Sequence, residues 1–213
     1  MTTCDIVVSY YNNNNFLKLL DKFENNFLYK YKAIVYNKSG YEITLKNNSI
    51  QKHLNNVGRE GETYLNHIIN NYDSLSEYTI FIQDDTNNHI GDCNKFINFC
   101  NNIINKKQQF ALYPSSWREG GTVVRRTITN GTCNLHTLPS KDSIKICCEK
   151  HGINLPKQYT TETCAFFICH KNYILNYEKN FYIKLREWLL SENNNGFVLE
   201  HIWKLIYTEI SAF

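Results

Sequence analysis

Two adjacent carboxylates, Asp84 and Asp85, follow directly on the apolar run Tyr78-Thr79-Ile80-Phe81-Ile82-Gln83. Acidic side chains this close repel, and a cation between them relieves that. A hard divalent ion such as Mg2+ or Mn2+ prefers oxygen ligands, and it would in turn hold a diphosphate and neutralise charge on a departing group. His89, four residues on, is a candidate further ligand or phosphate partner. Asp85, Asp84 and His89 are therefore the candidate metal residues. The same stretch also fits a polar turn in which an aspartate caps the next element.

A second chemical signal is Asn56-Val57-Gly58-Arg59-Glu60-Gly61-Glu62. Two glycines flank Arg59 at the start of a helical pattern, where free backbone N–H groups favour anions and a guanidinium fork matches phosphate oxygens. Glu60 and Glu62 suit the same end of the helix dipole and are alternative partners for Arg59. No Gly-Lys-Ser/Thr follows, so this is not a Walker loop. A third signal is the stretch from Pro114 to Arg126, where Trp117, three arginines and a glycine pair suit a loop that closes over a ligand, or equally a solvated hairpin. Glu162 and Glu200 are the candidate proton acceptors for an acceptor hydroxyl, Glu162 ahead of Glu200, with Asp84 as the third acidic candidate at the reacting centre. His201 is a late histidine able to complete a metal shell, although a core histidine is the commoner case.

These residues need a scaffold that brings strand ends together. The sequence predicts strands at Asp5–Tyr10, Lys32–Tyr36, Tyr78–Gln83, Gln109–Tyr113 and Thr163–Cys169. It predicts helices over Asn15–Leu28 and Glu60–Tyr72, a helix after Asp92 with a stripe of Phe96, Ile97, Cys100, Ile103 and Ile104, and a short one capped by Ser140. Residues 114 to 139 read as polar and irregular, and the last forty as mostly helical. Alternating strands and helices predict a layered α/β sheet covered on both faces. Ligands in such folds sit beyond the carboxyl ends of the strands, which selects the loops at Ser9-Tyr10-Tyr11, Asn37-Lys38-Ser39-Gly40 and Asp84-Asp85.

Composition narrows the function classes. The chain has 213 residues with only 3 Pro and 9 Gly, so one domain spanning 1–213 is expected. A net charge of +3 permits an anionic ligand and does not argue for a nucleic-acid partner. None of the 8 cysteines forms a CxxC pair. Cys100, Cys164 and Cys169 lie in apolar runs and read as buried reduced thiols. The amino terminus has no basic leader and no apolar run is long enough to span a bilayer, so a cytoplasmic protein is expected, as a monomer.

The run Asn56-Val57-Gly58-Arg59-Glu60 with Thr63-Tyr64-Leu65, then Ile80-Phe81-Ile82-Gln83 with Asp85 and His89, resembles a family of GT-A-like proteins found in fungi, bacteria and large DNA viruses. Cys164-Ala165-Phe166-Phe167 and Glu200-His201-Ile202-Trp203 extend the likeness over most of the chain, which is also similar to the amino-terminal glycosyltransferase domain encoded by chlorella viruses. The resemblance implies a GT-A fold with a mixed central sheet, a UDP-sugar donor, a Mn2+ or Mg2+ ion, and transfer to a hydroxyl of a glycan or glycoprotein acceptor. It places Gln83-Asp84-Asp85 in the acidic-motif role, Ser9, Tyr10 and Asn37 beside the uridine, and Arg59 and Asp84 facing the donor's phosphates and ribose. The motif here is Asp-Asp after Gln rather than Asp-x-Asp. A sugar-phosphate nucleotidyltransferase is the rival enzyme; it would carry a basic Gly-rich loop after the first strand, where this chain has Ser9-Tyr10-Tyr11-Asn12. A non-catalytic sugar-binding module is the second rival, compatible with the 14% aromatic content.

Overall fold

The computed structural model describes residues 2–46, 48–114, 125–162 and 165–208. Thr3–Tyr10 forms β1, whose last seven residues are all buried. A strand buried on both faces needs parallel neighbours and covering helices. β1 has them: it pairs in parallel with β2 (Lys30–Asn37) on one side and with β4 (Tyr78–Gln83) on the other. β3 (Ser49–His53) adds a polar edge strand to β2. Beyond β4 the direction reverses: β8 (Phe167–His170) runs antiparallel to it, and β5 (Phe110–Leu112) runs antiparallel to β8. The six-stranded order is β3-β2-β1-β4-β8-β5, a mixed sheet.

Strand pleating decides which helix covers which face. Tyr10 packs its ring on Phe16 of α1 (Asn15–Asn26), while Ser9 places its hydroxyl 2.9 Å from Thr63 of α2 (Arg59–Asn71). The two helices therefore lie on opposite faces. α1 buries Phe16, Leu19, Leu20 and Phe23, a helical stripe, beside the short α3 (Thr86–His89) and α4 (Cys93–Asn105). Asp92 caps α4 by accepting from the N–H groups of Asn94 and Lys95, and the expected stripe from Phe96 to Ile104 is buried. Each such apolar side chain contributes about 1.5–3 kcal/mol when fully buried. On the other face α2 packs against α7 (Lys179–Ser191) and α8 (Asn195–Tyr207). Trp203 of α8 sits among Tyr64, Phe167 and Tyr207.

The expected strands and helices through Tyr113 are present, with β3 in addition. The polar segment 114–139 contains a strand that was not expected, β6 (Arg125–Thr129), which pairs with β7 (Gln158–Glu162) as a separate two-stranded sheet. Both strands are short and half polar, so hydrophobic alternation is weak in them. Ser140 does not cap the next helix: α5 (Ser143–His151) starts after Asp142, and the N–H of Ser140 donates to the Ser143 hydroxyl. The expected strand over 163–169 is seen from Phe167; Thr163 and Cys164 lie outside the described residues, as do Trp117 and Arg118. The four-residue α6 (Lys171–Ile174) completes the chain order. Cys100 and Cys169 are buried free thiols, as expected. No helix among the described residues is long and apolar enough to cross a membrane.

Candidate functional site

The chain leaves β1 for β2 and β3 on one side and returns to β4 on the other, so the connections diverge at the carboxyl ends of β1 and β4. Open α/β sheets bind ligands in that crevice. A cleft of about 230 Å3 lies there, lined by Ser9 of β1 and Tyr11 just after it, Lys38 after β2, Asp84 after β4, and Arg59 and Glu60 from α2.

The two aspartates at the tip of β4 have different tasks. One oxygen of Asp84 accepts the backbone N–H groups of Tyr11, Asn12 and Asn13 at 2.9, 3.0 and 2.9 Å. Asp84 therefore organises the β1–α1 loop, its charge met by three donors. Asp85, at the start of α3, makes no such cap; its oxygens accept the side-chain amides of Asn13 at 3.2 Å and Asn88 at 2.8 Å. Amides neutralise no charge, so Asp85 keeps a carboxylate that a cation can use. His89 stacks its ring on Phe166, and burial pulls its pKa below the ordinary value against the opposing pull of Asp85. Among the described residues no three His, Cys, Asp or Glu side chains are gathered as a metal cage. The donors present fit a divalent ion that takes one carboxylate from the protein and its remaining ligands from phosphate and water, the usual manner of Mg2+.

The start of α2 is built with unusual backbone. Gly58 sits in the left-handed region at φ 61°, and Arg59 follows at φ 54°. The second of these costs roughly 1–2 kcal/mol in a residue with a Cβ, and such conformations persist where the surroundings impose them. Lys38 imposes this one. Its buried ammonium donates to the carbonyls of Val57 and Arg59, each at 2.6 Å, and stands 3.6 Å from Glu62. Glu62 in turn accepts from Arg186 of α7 at 2.8 and 3.2 Å. The Arg59 side chain is thereby directed over the Phe197 ring, 4.1 Å from its centroid, with its guanidinium 3.5 Å from Glu200 and 3.7 Å from Glu60. Gly196 lets it pass: a Cβ there would come within 2.8 Å of the Arg59 Cδ.

Glu60 and Glu200 are both largely buried, at 7% and 16% side-chain exposure, with one guanidinium between them. Burial, and then the neighbouring Glu60 carboxylate, push the Glu200 pKa up from 4.5 to about 8, with Arg59 opposing. Among the residues that line the cleft, the cations Lys38 and Arg59 match the carboxylates Glu60 and Asp84 in number, and Glu200 stands behind Arg59.

Of the residues expected from sequence, Ser9, Arg59 and Asp84 meet at this cleft. Tyr10 does not: it is buried against Phe16, and by strand alternation it is Tyr11 that shares the cleft with Ser9. Asn37 uses its side chain inside the turn after β2, accepting from the N–H and hydroxyl of Ser39 at 2.8 and 2.7 Å and donating to the Tyr41 carbonyl. Glu162 pairs with Arg125 at 3.1 Å across the β6–β7 ladder and does not line the cleft. His201 is buried, bonded through Nδ1 to the Phe197 carbonyl within its own helix. Tyr11 and Lys38 lie in two of the loops selected from sequence, and Glu60 was expected as a partner of Arg59, but none of the three was given a role in binding or catalysis. The pleat identifies Tyr11; the buried contacts of Lys38 with the start of α2 are made by the tertiary fold.

No curated protein matches this chain. A family model described as "Protein of unknown function (DUF3431)" matches residues 6–212, nearly the whole chain, and the protein belongs to that family.

Proposed function

We propose that the protein is a metal-dependent glycosyltransferase that takes a sugar from a nucleoside-diphosphate donor of the UDP-sugar type and passes it to a hydroxyl of a glycan or glycoprotein. The observation that carries this reading is a cleft at the strand-order reversal that brings Arg59 and Lys38 beside Asp84, followed in the chain by Asp85, whose carboxylate accepts from the two amides of Asn13 and Asn88. The order β3-β2-β1-β4-β8-β5, with an antiparallel strand beyond β4, agrees with the GT-A resemblance of the sequence. The nucleotidyltransferase reading has less support, because the loop after β1 carries Tyr11, Asn12 and Asn13 folded onto Asp84 rather than a basic phosphate cradle.

In this reading Asp85 holds the divalent ion, with His89 beside it, and the ion supplies charge neutralisation of the diphosphate leaving group. Arg59 offers its guanidinium to a phosphate oxygen. Asp84 keeps the β1–α1 loop in place so that Ser9 and Tyr11 border the nucleoside. A cytoplasmic site of action is part of the same proposal. The test is transfer or hydrolysis of UDP-sugars assayed with Mn2+. Wild-type protein should be active and Asp85→Ala inactive while still folded; full activity in Asp85→Ala would refute the assignment.

A further inference from the structure

The Arg59–Glu60–Glu200 cluster has one cation for two carboxylates, both withdrawn from solvent, and it opens on the cleft through Glu60 and Arg59. Two buried carboxylates that meet the same guanidinium, at 3.7 and 3.5 Å, do not both ionise readily, and such a pair can hold one proton between them. We infer that Glu60 and Glu200 form a proton-sharing carboxyl pair and that this pair, in place of Glu162, accepts the proton of the acceptor hydroxyl. The inference rests on the glycosyltransferase reading for its second half only.

The surroundings favour the pair as the proton-exchanging group. Arg59 reaches both carboxylates, is stacked on Phe197, and is held at its backbone by Lys38, so it is a fixed partner rather than a mobile surface arginine. Other charged groups near the pair are Glu62 on the same helix, and Lys38 after β2 and His89 on α3, both of which feel the Glu60 carboxylate, with Arg186, Asp84 and Asp85 acting on those two. Lys38 also stands against Glu62, so among the described residues Arg59 is the cation that pairs with both carboxylates. Burial raises the Glu200 pKa to about 8, in the range that suits proton exchange near neutrality. Glu162, by contrast, is taken by Arg125 in the small sheet.

The step balances as a single displacement. The acceptor O–H gives its proton to the oxygen of the pair that carries none, and the electron pair left on the acceptor oxygen forms the bond to the anomeric carbon. The anomeric carbon–oxygen bond to the diphosphate breaks, its electrons leaving with the nucleoside diphosphate. Attack opposite to departure inverts the anomeric centre.

The test uses the full chain with Glu60→Gln, Glu200→Gln and Glu162→Gln variants. Infrared titration should show, in wild type, the carbonyl stretch of a protonated carboxylic acid that persists at neutral pH and disappears through about pH 8, lost in Glu200→Gln and moved to lower pH in Glu60→Gln. Absence of that band in wild type overturns the shared proton whatever the protein's activity. With UDP-sugar and a glycan acceptor, each of the first two variants should lose on the order of 10²–10⁴-fold in kcat with donor KM little changed, the size of a general-base contribution. UDP binding by each variant with Mn2+, measured by calorimetry, shows that it is folded. Loss in Glu162→Gln with retention in the other two overturns the base role. Failure of wild-type protein to bind UDP–Mn2+ overturns the glycosyltransferase reading and the base role with it, whereas the infrared band decides the pair separately. A product of retained configuration also overturns the base role.

Discussion

Glu60 and Glu62 stand two residues apart on the first turn of α2, yet they have opposite electrostatic fates. Glu62 is enclosed at 2% exposure and met by two cations, Lys38 and Arg186. Glu60 shares a single guanidinium with a second carboxylate and faces a cleft. The first cluster is compensated and structural, for it fixes the backbone that aims Arg59. The second has one guanidinium for two carboxyl groups, which costs stability and raises the pair's affinity for a proton. Charge compensation therefore separates the part of the helix start that holds the fold from the part that is free for chemistry.

That contrast can be broken from either side. The largest effect is expected at the compensated cluster. Glu62→Ala leaves Lys38 as a buried cation without its carboxylate and should lower unfolding free energy by about 3–5 kcal/mol in a urea titration, since stranding one buried partner is the costly case. A loss under 1 kcal/mol would show that the network does not hold the helix start. Asp85→Ala should change stability little, because its contacts are two amides, and should lower metal-dependent turnover by a hundredfold or more, about 3 kcal/mol of lost charge stabilisation.

The next effect is on pH dependence. The folded chain holds the Glu200 proton to about pH 8, whereas an unfolded glutamate releases it near 4.5. The folded state thus binds more protons between these values, and stability falls as pH rises through that window. His67 acts in the opposite sense: burial lowers its pKa from 6.5 to about 3, so its contribution is lost as pH falls below 6.5. The difference between wild type and Glu200→Gln isolates the first slope. The variant should gain on wild type as pH goes from 5 to 8, by roughly 2 kcal/mol or more; equal slopes would contradict the account. The smallest effect belongs to the exposed pair on the small sheet. Arg125→Ala should cost no more than about 0.5 kcal/mol, as Arg125 is two-thirds exposed.

Much of this arrangement was legible in the sequence where hydrophobic periodicity is strong. β1, β4, α1, α2 and the Asp92-capped α4 follow from runs such as Ile6-Val7-Val8 and the Phe96-to-Ile104 stripe, and with them the loops that hold the cleft. β3, β6 and β7 were not legible, since Ser49–His53, Arg125–Thr129 and Gln158–Glu162 are short polar strands made by pairing rather than by burial. Within the site, Asp85 and Arg59 could be named because charge at a strand end or helix start has a local signature. The division of labour between Asp84 and Asp85 could not, because it depends on three N–H groups delivered by a loop more than seventy residues earlier. The partnership of Glu60 with Glu200 is likewise a tertiary fact.

The most direct measurement is the thermal shift of the protein with UDP, with Mn2+, and with both, since a ligand that binds only the folded state raises Tm. A cleft whose lining charges match, beside a single carboxylate to offer an ion, predicts little shift from either alone and a clear shift from the two together, abolished by chelator and by Asp85→Ala. A full shift from UDP in the presence of chelator, or none from UDP and Mn2+ combined, would contradict the account.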